Sequence, residues 1–373
     1  MKFIECKLSE LGEIVGGSTP FTKNESYYGG YIPWLTPKDL ANFNGRYINF
    51  GERNITEAGY KSTSVKMLPI NSVLFSSRAP IGYVAINNKN EVCTNQGFKS
   101  VIPNSKTDYM FLYYLLKYNK NKIEAMGSGT TFKEVSSTVM KNIIVNVPEA
   151  KEDQIKIGKI LSKIDDKIEL NTHTNDNLLE LIKTLYIEKI KNNNDINFEE
   201  KKLDEFCNIF TGKKNANVSE KNGQYKFFTC APEPLSINSY IYDGPAVIVA
   251  GNGAYTGRTN FYNGKFDLYQ RTYGITTNND YIYLFYAMIY TDLQNDIMGG
   301  THGSAIPYIV MNDIAKFKVK YNKELFDELS QKIKVLLLKI KSNEAQNETL
   351  EQIRDTLLPK LMNGEIDLDK IEI

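Results

Sequence analysis

The feature that most constrains this 373-residue chain is an internal duplication of apolar positions. Seven positions recur 172 residues later, and we call the row that they form in each copy the seam. Successive seam positions are separated by four, three or seven residues. The first copy has Leu161, Ile164, Ile168, Asn171, Asn175, Leu178 and Leu185, and the second has Ile333, Leu336, Ile340, Asn343, Asn347, Leu350 and Leu357. A period of about 3.5 residues over this length is typical of a coiled coil. The alternative, two amphipathic helices in a larger core, explains the strict alternation less well.

The duplication extends beyond the helices. Lys7-Leu8-x-Glu10-Leu11 corresponds to Lys202-Leu203-x-Glu205-Phe206, and residues 127–131 parallel residues 299–304 in their glycine and hydroxyl content. Between these landmarks the two halves diverge. The sequence therefore predicts four segments, which are a first globule (1–150), a first helix with a linker (151–197), a second globule (198–323) and a second helix with a C-terminal tail (324–373).

Chain order predicts how the helices run. The second globule begins about a dozen residues after the first helix ends, so the second helix must run back along the first. Apolar β-branched runs such as 143–147 and 246–250 alternate with helical runs such as 110–118, which indicates mixed globules. We expect an α/β (mixed α+β) fold with a pseudo-two-fold internal repeat. Its two similar globules are separated by an antiparallel two-helix coiled coil about 45 Å long.

Four asparagines lie on the apolar seam. In an antiparallel pair centred on His173 and Ala345, residue 173 plus x faces residue 345 minus x. Asparagine at a seam position lowers stability but specifies register. The arithmetic therefore predicts that Asn171 lies near Asn347 and that Asn175 lies near Asn343.

Signatures of common catalytic classes are missing from the sequence. Its two histidines, His173 and His302, are isolated, and its four cysteines include no CxxC pair, so a usual zinc site lacks ligands. We find no G-x-S-x-G elbow, no phosphate-binding G-x-x-x-x-G-K-[ST] loop and no Asn-Pro-Pro-aromatic segment of amino-methyltransferases. Elimination favours a binding protein with no catalytic, metal or cofactor residues of its own. The charged N-terminus and the lack of a long apolar run predict a cytoplasmic protein without a membrane span.

Loop composition suggests an anionic partner. Residues 1–150 and 198–323 together carry a net charge of +6, while the helical segments carry −5. Their loops combine glycine with hydroxyl, amide and cationic side chains, the groups that contact phosphates and base edges. The candidate DNA-binding residues are Lys23, Thr36, Lys38, Arg78, Gln96, Thr130, Lys133, Lys213, Lys214, Asn215, Asn252, Tyr255, Arg258, Arg271 and His302.

The alternation of variable globules with similar helices resembles the specificity (S) subunit of type I restriction–modification systems. Local matches include Gln154-Ile155 entering the first helix after Pro148, Ser77-Arg78-Ala79-Pro80-Ile81-Gly82 and Asn95-Gln96-Gly97-Phe98. The closing segment, residues 357–366 (LLPKLMNGEI), fits as well. The second copy departs from the pattern, because it lacks counterparts of Pro148 and Asp165.

The resemblance implies a non-catalytic subunit that binds double-stranded DNA. Each globule would be a target-recognition domain for one half of an asymmetric, interrupted site, and the helices would set the spacer. Two modification subunits would dock on the helices and bring S-adenosylmethionine, and restriction subunits would add ATP and Mg²⁺ chemistry. Two alternatives remain open at this stage. One is a two-headed adaptor for protein or glycan, and the other is a methyltransferase with an unrecognised motif.

Overall fold

Each half of the chain begins with a short strand that pairs with the strand preceding a long helix. β1 (Phe3–Lys7) runs antiparallel to β10 (Ile144–Pro148), and β11 (Glu199–Lys202) runs antiparallel to β18 (Lys318–Tyr321). The same local hydrogen bond follows both first strands. The backbone N–H of Lys7 donates to Glu10 Oε1 at 2.7 Å, and that of Lys202 donates to Glu205 Oε1 at 2.8 Å. The repeated Lys-Leu-x-Glu motif thus forms the same turn twice.

A computed structural model describes residues 1–41, 43, 45–78, 80–129, 133–293 and 307–368. The chain forms two compact units. Unit 1 consists of Met1–Leu170 and Gln346–Ile373, and unit 2 consists of Asn171–Ala345. Both long helices therefore contribute residues to each unit. Within the described ranges, no helix has the length and apolar character that crossing a membrane requires.

Unit 1 combines β1 and β10 with eight further strands and several helices in the part of the chain that the structure describes. Its other strands are β2 (Gly12–Gly16), β3 (Tyr28–Ile32), β4 (Trp34–Leu35), β5 (Tyr47–Ile48), β6 (Val73–Phe75), β7 (Val84–Asn87), β8 (Cys93–Thr94) and β9 (Lys99–Pro103). Its helices are α1 (Leu8–Leu11), α2 (Pro37–Ala41), α3 (Glu57–Lys61), α4 (Tyr109–Tyr118), α5 (Lys120–Ala125), α6 (Ser137–Asn142) and the first part of α7 (Lys151–Tyr186).

Unit 2 repeats the main elements of unit 1. Besides β11 and β18, its strands are β12 (Asn208–Thr211), β13 (Tyr225–Phe228), β14 (Leu235–Ile237), β15 (Tyr242–Ala250), β16 (Thr259–Leu268) and β17 (Thr272–Thr276). Its helices are α8 (Tyr281–Met288), α9 (Met311–Ala315) and the part of α10 (Lys323–Met362) that precedes Gln346, together with the end of α7.

The two central sheets have corresponding strand orders. The unit 1 sheet has the order β2-β9-β6-β7-β5, and the unit 2 sheet has the order β12-β17-β15-β16-β13-β14. Strands β2, β9, β6 and β7 therefore correspond to β12, β17, β15 and β16. Helices α4 and α8, which begin 172 residues apart at Tyr109 and Tyr281, are buried over most of their length. The expected mixed fold and internal repeat are confirmed.

The long helices pair antiparallel inside each unit. In unit 1, Arg354 Nη1 lies 2.9 Å from Asp165 Oδ1, and Asn347 Nδ2 donates to the backbone oxygen of Ile168 at 3.4 Å. In unit 2, Asn343 Nδ2 donates to Asn175 Oδ1 at 2.8 Å, which is the contact that the register arithmetic predicts. The predicted proximity of Asn171 to Asn347 involves residues of different units and stays a prediction.

The closing segment is part of the first globule's core. Leu361, Met362 and Leu368 are at most 4% exposed and pack in the same apolar cluster as Leu8 and Leu112. From the sequence, this region is predicted to be a tail after the second helix. Its burial shows that unit 1 is completed by residues from the far end of the chain.

Candidate nucleic-acid interface

In unit 2, several loops meet where β12 and β15 end and β17 begins. We call residues 212–215, 229–231, 251–258 and 269–271 loop cluster 2. Backbone hydrogen bonds hold it together, because Gly251 N donates to Arg271 O at 2.8 Å and Gln270 N donates to Lys214 O at 3.0 Å. Four separate stretches of sequence thereby form one surface.

Loop cluster 2 gathers most of the second-half residues that the sequence singled out. Lys213, Asn215 and Arg271 are exposed, and Asn252 is half-buried. The Tyr255 side chain is 47% exposed, and the Arg258 guanidinium lies 5.9 Å from the centre of its ring. This part of the surface therefore offers cations, an amide and an aromatic face.

Lys214 differs from Lys213, because it has a partner inside the protein. Its Nζ lies 2.7 Å from Asp267 Oδ2, and it also contacts the hydroxyl of Ser239. The Asp267 side chain is only 5% exposed. Lys214 therefore holds the loop to the end of β16, while Lys213 extends into solvent.

An open cavity adjoins this cluster. It has a volume of about 440 Å³ and is lined by Tyr255, Arg258, Asn260, Tyr286 and Tyr290, among others. The rings of Tyr286 and Tyr290 are stacked with centroids 5.5 Å apart. The cavity is thus a polar recess with aromatic walls beside the exposed loops.

Unit 1 has a corresponding surface, which we call loop cluster 1. It consists of residues 17–20, 33–39, 77–78, 94–97 and 133–135. Its backbone bonds join Ser18 N to Thr94 O (3.0 Å), Asn95 N to Leu35 O (2.8 Å), Ser77 N to Gly97 O (2.7 Å) and Val135 N to Ser77 O (2.9 Å). Trp34 is buried and donates its indole N–H to Ser18 O at 3.0 Å, so it anchors this surface.

Several charged side chains of loop cluster 1 have partners inside the protein. Arg78 and Lys99 both approach Glu134, at 3.7 and 3.2 Å. Lys38 forms an exposed ion pair with Glu52 at 2.7 Å. No sequence pattern indicated Lys99 and Glu134, because 35 residues separate them along the chain.

The remaining predicted residues of unit 1 fall into three groups. The Gln96 side chain accepts a hydrogen bond from Thr19, and the Thr36 hydroxyl contacts Asp39 at 2.7 Å. Lys23 and Lys133 are exposed. Thr130 and the second-half candidate His302 lie outside the described residues.

The two clusters occupy matching positions on the repeated fold. Each cluster includes residues that directly follow β2 or its counterpart β12. It also includes residues of the loop that precedes β9 or β17 and of the loop that follows β6 or β15. Both first loops begin with a glycine that permits close backbone approach. A Cβ on Gly17 would lie 2.0 Å from Asn95 O, and one on Gly212 would lie 1.8 Å from Leu268 O. The fold therefore presents two surfaces of different composition at equivalent places in the repeat.

The part of the chain that the structure describes shows no metal cluster, and two of its cysteines are buried thiols. The described residues contain no group of three or more His, Cys, Asp or Glu side chains placed to hold a metal ion. Burial raises the pKa of the Cys93 and Cys207 thiols to about 12, so both stay protonated at neutral pH. The described structure therefore consists of two repeated units, each with a loop cluster at the matching place.

Comparison with known proteins identifies the family. The model of the type I restriction modification DNA specificity domain matches twice, at residues 2–180 and 195–353. The chain is similar to the type I restriction enzyme MjaIX specificity subunit of Methanocaldococcus jannaschii, with 33% identity over 98% of this chain and 94% of the relative. It also resembles the EcoDI specificity subunit of Escherichia coli, with 37% identity over 44% of this chain and 37% of that protein.

A solved structure supports the fold. The S subunit of a type I restriction–modification system from M. genitalium superimposes with a TM-score of 0.59 at 18% identity, covering 97% of this chain and 96% of that one. The chain belongs to the type I restriction–modification DNA specificity family. It has two target-recognition domains, and the resemblance drawn from the sequence is confirmed.

Proposed function

We propose that this chain recognises a bipartite, asymmetric DNA site, with loop cluster 1 contacting one half-site and loop cluster 2 the other. The observation that supports this most is the equivalent position of the two clusters on the repeated sheets, combined with their different residues. Equivalent positions give two similar ways of approaching DNA. Different side chains give two different half-sites, so the site as a whole is asymmetric.

The exposed side chains suit contacts with phosphates and bases. Lys213 and Arg271 in loop cluster 2, and Lys133 in loop cluster 1, are exposed cations. Such groups release counterions from DNA and supply much of the affinity. The 66%-exposed ring of Phe21 and the 47%-exposed ring of Tyr255 add flat apolar surface that can contact bases or sugars.

The long helices set the distance between half-sites in this proposal. Asn175 and Asn343 are hydrogen-bonded on the seam of unit 2, and sliding the helices by a heptad would place these amides against apolar side chains. An unsatisfied buried amide costs about 1–3 kcal/mol, so the polar layer resists a change of register. A fixed register keeps the DNA spacer constant.

The same helices offer surface for protein partners. Val335 and Leu338 on α10 are 66% and 44% exposed, although Ile333, Leu337 and Ile340 on the same helix are buried. We assign this face to a modification subunit, and the internal repeat favours two such subunits per chain. The chain is non-catalytic in this proposal. S-adenosylmethionine belongs to the modification subunits, and ATP and Mg²⁺ belong to restriction subunits where present, in a cytoplasmic complex.

The test uses the chain in complex with its modification subunits. Sequencing methylated adenines in the source genome identifies a candidate site, and binding is then measured on duplexes with both half-sites, one half-site or neither. We expect tight binding and adenine methylation only with both half-sites at the native spacing. Equal affinity for all duplexes would contradict the proposal and favour an adaptor. Methylation by the isolated chain would instead indicate a methyltransferase.

A further inference from the structure

At one pair of positions on the long helices, the two copies of the repeat differ in charge. In unit 1, this pair is Asp165 and Arg354. Shifting each residue by the 172-residue repeat gives Leu337 and Ile182, which are both buried in the core of unit 2. A charged pair in one unit therefore stands where the other unit has an apolar pair.

The Asp165 carboxylate is buried and has both oxygens satisfied. It is 5% exposed, Arg354 Nη1 lies 2.9 Å from Oδ1, and the Tyr114 hydroxyl donates to Oδ2 at 2.6 Å. The Arg354 side chain is 19% exposed. A buried ion pair of this kind adds little stability over an apolar pair, but removing one partner is costly because the other charge stays buried. The pair therefore favours association with a helix that supplies the opposite charge, more than it raises stability overall.

The seam asparagines cannot make that choice. If two first helices paired with each other in the same antiparallel register, residue 173 plus x would face residue 173 minus x, and Asn171 would face Asn175. If two second helices paired, Asn343 would face Asn347. Asparagine meets asparagine in every arrangement, so this layer specifies register and not partner.

The charged pair does distinguish the arrangements. In a pair of first helices, Ile182 would take the place of Arg354 beside Asp165, because it is the counterpart of Arg354 in the repeat. In a pair of second helices, Leu337 would take the place of Asp165 beside Arg354. Two first helices would leave both Asp165 carboxylates without an arginine, and two second helices would leave each Arg354 with only its exposed neighbour Asp355. Only a first helix combined with a second helix joins Asp165 to Arg354 and Ile182 to Leu337.

We propose that Asp165 and Arg354 form a pairing code, by which the first long helix accepts the second helix and rejects a second copy of itself. The partner that this surface fits is a helix with arginine at the position of Arg354. The code goes beyond DNA recognition, because it acts when the chain folds, and it explains why the second copy lacks a counterpart of Asp165.

The test removes the covalent link between the two halves of the folded protein. A protease site inserted between Asn194 and Asp195, in the exposed turn after α7, allows the full-length chain to be cut after folding. The same cut is made in Asp165→Leu/Arg354→Leu, whose apolar pair imitates Ile182 and Leu337. Native and variant proteins, one of them isotope-labelled, are mixed, dissociated in urea and diluted to reassociate, and native mass spectrometry counts the pairs.

Random reassociation makes about half of all first-half/second-half pairs crossed between native and variant protein. We expect crossed pairs to be depleted roughly tenfold, because each leaves Asp165 without Arg354 or Arg354 without Asp165. Crossed pairs at about half would overturn the proposal. So would native first halves that pair with each other as often as with second halves.

Two further variants keep the test decisive. The control, Glu328→Gln/Lys332→Gln, removes an exposed ion pair within α10 and should give crossed pairs at about half. If the leucine variant does not fold, Arg354→Gln second halves compete with native second halves for native first halves. We expect roughly tenfold preference for the native second half, and equal use of both would overturn the proposal.

Discussion

Lys214→Ala separates two roles that adjacent lysines play in loop cluster 2. Lys214 Nζ lies 2.7 Å from Asp267 Oδ2, and the Asp267 side chain is 5% exposed. Losing one partner of a fully buried ion pair costs about 3–5 kcal/mol. The cost here is smaller, because the Lys214 side chain is 35% exposed and Asp267 keeps hydrogen bonds from Ser239 Oγ at 2.8 Å and Leu268 N at 2.9 Å.

We therefore expect Lys214→Ala to lower the free energy of unfolding by about 1.5–3 kcal/mol. The matched control is Lys213→Ala, which removes an exposed neighbour and should change stability by less than about 0.5 kcal/mol. Urea unfolding followed by far-ultraviolet circular dichroism measures both values. Adding Asp267→Asn to a Lys214→Met variant should restore part of the loss, because no buried charge remains.

The salt dependence of DNA binding should change more in Lys213→Ala than in Lys214→Ala, which is the reverse of the order expected for stability. Lys213→Ala should reduce the slope of log affinity against log salt by about one, as expected for one lost phosphate contact. Lys214→Ala should weaken binding mainly by loosening the loop, with a smaller change in slope. Unchanged stability in Lys214→Ala would refute the burial argument, and an unchanged slope in Lys213→Ala would show that this side chain does not contact DNA.

Three other outcomes follow from the structure. Replacing residues 1–150 by the corresponding domain of another family member should change one methylated half-site and leave the other intact. Loss of both half-sites would show that the two domains recognise DNA together. Changing the four seam asparagines to leucine should raise the melting temperature yet relax spacer discrimination on DNA of varied spacing. Arg46→Ala should lower the free energy of unfolding in urea by about 2–4 kcal/mol, because the 4%-exposed Arg46 side chain pairs with Asp166 and Glu169 of α7. A loss below about 0.5 kcal/mol would contradict this.

The sequence alone determined the repeat, the family and the antiparallel helices. A 172-residue offset of apolar and asparagine positions is a local, countable pattern, and register follows from it by arithmetic, as the bond between Asn175 and Asn343 illustrates. Helix periodicity and strand composition are likewise properties of neighbouring residues. They locate elements such as α4 and β15 closely.

Tertiary structure decided which side chains are available at the surface. Lys213 and Lys214 look alike in sequence, but only Lys214 meets a buried carboxylate, which lies 53 residues away along the chain. The same holds for Arg78, which approaches Glu134, and for the closing segment, whose leucines complete a core begun 350 residues earlier. Contacts between distant residues depend on how strands and loops pack, and a one-dimensional pattern does not encode that packing directly.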